Sequence, residues 1–226
     1  MSPVAPQRVN YVARRNPRLS HDEWVRQWRE HWQLAQSFAE TDTIRRYTQC
    51  EVLFDTSSSP RDGFASAEYV STAARERNRS AEAYHRRMRE DERRIFDRIV
   101  AETMFIGDHH LLAGSGSGPF KIVRFVRRRP DVDPADFAAA WLIGHGRRVA
   151  SSGSILGYAQ NHPIEPDGPS GWGLAVDGAE EIWFASAASA RDYLASEELA
   201  WADAESPVFE VIDAIVTDEV VLRDGD

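Results

Sequence analysis

The sequence predicts an α+β chain made of two copies of one βαββαβ unit. Three observations carry that reading. One pattern is written twice: Trp24-x3-Trp28-x2-His31-Trp32 followed by Ile44-x2-Tyr47-x-Gln49, and later Phe137-x3-Trp141-x3-His145 followed by Ile155-x2-Tyr158-x-Gln160. Trp28 and Trp141 are 113 residues apart (141 − 28), Tyr47 and Tyr158 are 111 apart (158 − 47), so the copies differ by a two-residue gap. A Gly/Ser-rich stretch, 113–119, lies at the middle of the chain, where a duplication places its join. The same order of strand and helix signals runs on both sides of it, and self-similarity of this kind decides the architecture before any single element does.

Val9–Ala13 reads as a strand that ends at Asn16-Pro17, since proline restricts the residue before it. Ser20 followed three residues later by Glu23 is a capping box. The helix it opens carries Trp24, Trp28, Trp32, Ala35 and Phe38 on one face and runs to Phe38. Ile44–Phe54 is the next strand, 55–63 a loop, and Phe64–Val70 a third strand. Arg75–Arg98, dense in both charge signs with Glu82–Arg86 and Glu90–Arg94 at i,i+4, reads as a solvated helix face. Ile99–Leu112 closes the first unit, interrupted near Gly107. The second unit repeats the order: strand Phe120–Arg127, helix Pro134–Ser151, strand Ile155–Ile164, loop 168–173, strand Glu181–Ala185, helix Ala187–Ala204 and strand Val208–Leu222. Each half is therefore ferredoxin-like in element order, with residues 1–112 as the first repeat, 113–119 as a linker and 120–226 as the second. A single four-stranded sheet leaves an edge or a face uncovered, so two such sheets are expected to pair.

With 226 residues, 42% of them apolar and seven of them Trp, the chain can bury a substantial core. Its net charge of −9 argues against nucleic acid and anionic membrane as partners. The N-terminus has no apolar targeting core and no apolar run approaches the roughly 20 residues of a membrane span, so a cytoplasmic location is expected. The single cysteine, Cys50, reads as a buried thiol.

The doubled motifs resemble the EthD-like family of the dimeric α/β-barrel superfamily. The second half carries all three marks: Phe137, Trp141 and His145 at four-residue steps; Tyr158-x-Gln160; and Asp177-Gly178-x-x-Glu181-x-Trp183-Phe184. The first half departs from them. Trp32 stands four residues after Trp28, His31 comes one residue early, and Ser66 takes the place of the Glu after Asp62-Gly63. The resemblance implies that one chain supplies both halves of a barrel that relatives assemble from two. It implies activities among cyclases, dehydratases, decarboxylases, isomerases and some haem enzymes; fold alone does not choose among them.

His145 is the leading catalytic candidate, a proton shuttle sharing a helix face with two aromatics. Tyr158 and Gln160, two apart on a strand, face one side. His31 and Tyr47 are their first-half counterparts, with Trp32 expected to fill the first cavity. Trp28, Trp141, Gln49, Gln160, Asp177, Glu181 and Trp183 complete the expected substrate-binding set, with a carboxylate orienting His145 and the tryptophans shaping the pocket. His109-His110, adjacent on a strand, face opposite sides and make a poor metal clamp. No phosphate loop, zinc spacing, nucleophile elbow or dinucleotide fingerprint occurs.

The expected function is a cofactor-independent lyase, cyclase or isomerase. It would act on a small hydrophobic aromatic, polyketide-like or lactone substrate by His/Tyr acid–base chemistry, with no metal. The second-half cavity is expected to be the larger. The alternatives are a haem barrel enzyme with His145 or His31 as axial ligand and a non-catalytic small-molecule-binding module. A homodimer of the tandem chain stays open as a further partner.

Overall fold

A computed structural model describes residues 6–55, 61–164 and 175–225. The expected loop at 168–173 and part of that at 55–63 lie outside the described residues. The strands are β1 (Gln7–Ala13), β2 (Ile44–Asp55), β3 (Gly63–Tyr69), β4 (Met104–Gly114), β5 (Phe120–Arg128), β6 (Gly157–Pro163), β7 (Gly178–Phe184), β8 (Phe209–Asp218) and β9 (Val220–Asp224). They form one antiparallel sheet in the order β3-β1-β4-β6-β7-β5-β8-β2. Pairing of β2 with β3 closes it into an eight-stranded barrel, and β9 adds to β2. The order β2-β3-β1-β4 in the first half recurs as β6-β7-β5-β8 in the second, and the β4–β6 and β8–β2 pairs join them.

An eight-stranded barrel has an interior just wide enough for side chains to fill. Alternation along each strand sends one set inward and the other to the helices outside. The inward set combines an apolar cluster, including Cys50, Phe64, Phe105 and Phe125, with buried ions. Lys121 Nζ lies 2.5 Å from Glu181 and 2.8 Å from Glu219, while Arg8 pairs with Glu68 at 2.7 Å. Burial pushes the Cys50 thiol up to about 12, as an inert thiol requires.

Outside the barrel, α1 (His21–Gln36) opens on the Ser20–Glu23 capping box and buries Trp24, Trp28, His31, Trp32 and Ala35. The charged 75–98 segment is two helices, α2 (Thr72–Arg79) and α3 (Glu82–Ile95). It is more than a solvated face: Tyr84, Met88, Glu92 and Ile95, at steps of four and three, are buried against the barrel. In the second half, α4 (Pro134–Ala139) runs through a π-helical turn (Ala140–His145) into α5 (Gly146–Ala150). The last helical segment also divides, into α6 (Ala187–Leu194) and α7 (Glu197–Ala204), because Ser196 caps a new start.

The 113–119 stretch is an ordered turn. Gly114 and Gly116 have φ near +69° and +68°, and a Cβ on Gly114 would lie 2.0 Å from the Leu156 carbonyl oxygen. β4 is not interrupted at Gly107; that glycine admits the close approach of the His162 backbone, 2.9 Å from where its Cβ would sit. Among the described residues no helix is long and apolar enough to cross a membrane.

Candidate active site

In the second half the expected pair does converge, but on a buried carboxylate. His145 Nε2 lies 3.0 Å from Glu180 Oε2, and the Tyr158 hydroxyl donates to the same oxygen at 2.7 Å. Gln160 Nε2 donates to the Tyr158 hydroxyl at 2.7 Å. Arg124 Nη1 lies 2.6 Å from Glu180 Oε1 and its other arm reaches Asp203 at 2.5 Å. His145 Nδ1 faces the Ala202 carbonyl at 3.4 Å. His145, Tyr158, Gln160 and Glu180 are fully buried. Burial works against the Glu180 charge, but Arg124 and His145 overcome it and hold the carboxyl at about 2. His145, Tyr158 and Gln160 are engaged with their protein partners, while Trp141 Nε1 and Asp203 Oδ1 are buried without a hydrogen bond among the described residues.

The cavity is in the first half, which corrects the expected asymmetry. It holds about 200 Å³ between the outer face of β1, β2 and β3 and helices α1, α2 and α3, and is lined by His31, Trp32, Tyr11, Tyr47, Tyr69, Tyr84, Met88 and Glu92 among others. His31 Nδ1 lies 2.8 Å from Asp91 Oδ2, while Arg94 donates to Asp91 Oδ1. The hydrogen bond from His31, helped by Arg94, keeps the Asp91 carboxyl below its ordinary value. A charged carboxylate fixes Nδ1 as the donor and leaves Nε2 as the free basic nitrogen. Nε2 has no partner among the described residues.

Across the cavity Tyr11 and Tyr47 share a 2.7 Å hydroxyl–hydroxyl bond. Trp28 Nε1 donates to Tyr11 at 3.0 Å and Gln49 Nε2 donates to Tyr47 at 3.1 Å. The two phenols hold two O–H protons; one closes the bond between them. The other has no acceptor among the described residues, because both outside partners donate. Burial raises both phenols, Tyr47 to about 12, so they stay protonated and serve as donors. Glu92, its Oε2 held by the Val100 N–H at 3.0 Å, is raised by burial.

The sequence pattern pairs His31 with His145 but sets it one residue early. A π-helical turn accommodates one residue more than an α turn, so His145, four after Trp141, falls where His31 lies, three after Trp28. The contacts agree: Trp28 and His31 both pack edge-on against Phe96, and Trp141 and His145 both pack against Phe209. Trp32 does not fill the cavity in place of a histidine. It stacks on Tyr47 at 4.2 Å and forms a wall.

Sheet register explains why one half is open. Tyr11 and Gln49 are paired with Ala65, where Arg124 and Gln160 are paired with Glu180. The Arg124–Glu180 pair occupies the room that Tyr11 and Ala65 leave.

Other expected site residues take supporting places. Trp28 and Gln49 are fully buried behind the tyrosines they orient, and Gln49 also bonds the Trp28 carbonyl, as Gln160 bonds that of Trp141. Asp177 accepts the Arg128 N–H, as Asp62 accepts that of Arg15. Glu181 and Trp183 face the barrel interior, where Trp183 Nε1 donates to Glu219 at 3.2 Å; strand alternation puts them on the side of β7 away from His145 and Trp141. Sequence reasoning chose Glu181, and its neighbour Glu180 is the carboxylate that meets His145. It also passed over Tyr11, Asp91 and Glu92, the last of which the Tyr84-Met88-Glu92 spacing could have shown.

Haem does not fit. Both ring nitrogens of His145 are engaged, by Glu180 at 3.0 Å and by the Ala202 carbonyl at 3.4 Å. The His31 cavity, at about 200 Å³, is below the roughly 300–1,000 Å³ that holds even drug-sized ligands. Among the described residues no group of three His, Cys, Asp or Glu side chains is placed to hold a metal ion.

The EthD domain family matches residues 16–99, a span that holds α1, β2, β3, α2 and α3, and so most of the cavity wall. The match falls on the half whose motifs depart further from the family pattern. No curated protein matches the chain. Solved structures share the fold over the full length. A putative monooxygenase from Lactobacillus acidophilus NCFM is 11% identical with a TM-score of 0.52, covering 99% of this chain and 98% of that one. An anthrone oxidase-like protein is 10% identical with a TM-score of 0.63, covering 100% and 95%. A mutant chlorite dismutase from Candidatus Nitrospira defluvii is 11% identical with a TM-score of 0.57, covering 96% and 92%. The fold is that of the dimeric α/β-barrel proteins.

Proposed function

We propose that the first-half cavity is the working site of a small-molecule enzyme that begins by taking a proton. The observation that carries this is the His31–Asp91 pair, whose free Nε2 faces the cavity that also receives the unspent O–H of the Tyr11–Tyr47 pair. His31 Nε2 accepts a proton from a C–H or O–H next to a substrate carbonyl or phenolic oxygen. Asp91 stabilises the imidazolium that forms. The tyrosine pair donates to the oxygen as negative charge develops there. The His31 imidazolium then returns that proton elsewhere on the substrate and ends the step neutral. Dehydration, decarboxylation, cyclisation and isomerisation share this first step. The volume suits a substrate with one ring.

The same reading makes the chain a tandem of two EthD-like units, 1–112 and 120–226, joined by the 113–119 turn. The repeated strand order and the repeated Trp–Gln, Asp–Arg and Trp/His–Phe contacts support it. The second unit is the copy whose cavity the Arg124–Glu180 pair has closed.

The test uses 4-nitrophenol, whose ionised form absorbs visible light. Bound to the protein, it should ionise about one pH unit or more below its free value, a stabilisation of about 1.4 kcal/mol per unit. His31→Ala and the double change Tyr11→Phe/Tyr47→Phe should each reverse most of that shift. Both phenols must go, because either one alone keeps a free O–H. His145→Ala should leave the shift intact in the folded fraction. An unshifted midpoint in the bound state, or equal effects of His31→Ala and His145→Ala, would sink the proposal.

A further inference from the structure

The cavity wall carries two arginines whose hydrogen-bond donors the protein leaves partly unused. Arg75, on α2, has a side chain only 11% exposed; its ion pair is with Glu76, which points to solvent, and its Nε is buried without a partner. Arg89, on α3, lines the same cavity and makes no hydrogen bond or ion pair among the described residues. Among the described residues Glu92 is the one carboxyl group lining the cavity; burial raises it, against the opposing effects of His31 and Arg89. A guanidinium N–H buried without an acceptor is costly, so the unpaired Arg75 Nε, with Arg89 beside it on the wall, calls for an anionic acceptor. The balance is local: the chain as a whole has a net charge of −9, yet two arginines and one glutamate line this wall.

We infer that the substrate of this site is a small aromatic monocarboxylate, its carboxylate held by Arg75 and Arg89 and its ring set between Trp32 and Met88. A planar carboxylate matches the guanidinium fork, which an isolated hydroxyl or amide does not. The His31 nitrogen and the free tyrosine O–H then face the rest of the ring. The inference rests on the proposed acid–base site for its reactive end, but the anchor is a separate set of residues and can be read separately.

The probes are 4-hydroxybenzoate and its neutral isostere 4-hydroxybenzamide, with binding to the full chain followed by quenching of tryptophan fluorescence. The wild-type protein should bind the carboxylate about 10–100-fold more tightly than the amide, the range of a charge-assisted hydrogen bond lost or gained. Arg75→Gln/Arg89→Gln should remove that preference by weakening the carboxylate alone. His31→Ala and Tyr11→Phe/Tyr47→Phe should preserve the ratio. Equal affinities in the wild type, no binding of either probe, or a preference that survives the double arginine change would each overturn the inference. The wild-type ratio decides even where the variant does not fold. A lost ratio with an intact 4-nitrophenol shift would end the anchor and leave the acid–base site standing; the reverse pattern would do the opposite.

Discussion

Two glycines show how much one residue decides here. A Cβ on Gly63 would meet the Trp28 ring at 2.5 Å, and one on Gly178 would meet the Trp141 ring at 2.3 Å. Neither glycine has a positive φ, so the need is for space and not for backbone freedom. Each Asp-Gly dipeptide is a seat for a tryptophan, with the aspartate fastening the neighbouring strand. Both tryptophans are fully buried and cannot retreat. Gly63→Ala should therefore destabilise the protein by about 1–3 kcal/mol, the usual cost of overpacking. It should also disturb the tyrosine pair, since Trp28 Nε1 donates to Tyr11. Chemical denaturation checks the first expectation and the 4-nitrophenol midpoint checks the second. A variant as stable as the wild type would mean that Trp28 has room the structure does not show.

At the scale of elements, the two helices that carry the histidines achieve one arrangement by different geometry. The π-helical turn at Ala140–His145 holds one more residue than the corresponding turn of α1. Ile143 lies within it and is half exposed. Deleting Ile143 should convert the turn to α-helix, keep Trp141 and His145 on Phe209, and leave a folded protein with a melting temperature close to that of the wild type. Deleting the exposed Glu30 from α1 should instead rotate His31 off Asp91 and lower the melting temperature by many degrees. Equal damage from the two deletions would refute the equivalence of His31 and His145. This element also marks where the sequence stopped being readable. Capping at Ser20, the doubled motif and the order of strands depend on local chemistry and are legible. A π turn has no local signature, so spacing set Trp32 where the second half has His145, with His31 one residue early, and pointed to the second half for the larger cavity. Glu180 was hidden for a related reason: beside Glu181 on a strand, only the barrel's inside and outside tell the two apart. Asp91 and Glu92 were hidden within a helix whose charge read as solvation.

The whole molecule encloses more charge than its core would lead one to expect, and that sets its response to acid. Glu180 and Glu181 are both fully buried and held at about 2, the first by Arg124 and His145, the second by Lys121 and Arg8, each against the opposing effect of burial. Their unfolded value is about 4.3. A depressed folded value means that their contribution is fully present above about pH 4.3 and is lost as the pH falls toward 2. His109, depressed to about 4 by burial and by Arg8, and His162, depressed to about 3 by burial and by His110, act earlier. Against an unfolded value of about 6.5, they contribute fully above that pH and lose their share on the way down. Melting temperature should therefore fall gently below about pH 6.5 and steeply below about pH 4.3. Glu180→Gln sharpens the test. At pH 7 it leaves Arg124 with only Asp203 as a charged partner, and breaking a buried pair from one side costs about 3–5 kcal/mol. As the pH approaches 2, the wild-type carboxyl itself becomes neutral, so the two melting curves should converge. A melting temperature as high at pH 3 as at pH 7, or a Glu180→Gln deficit that persists undiminished into strong acid, would show that the buried ion clusters do not govern the stability of the barrel.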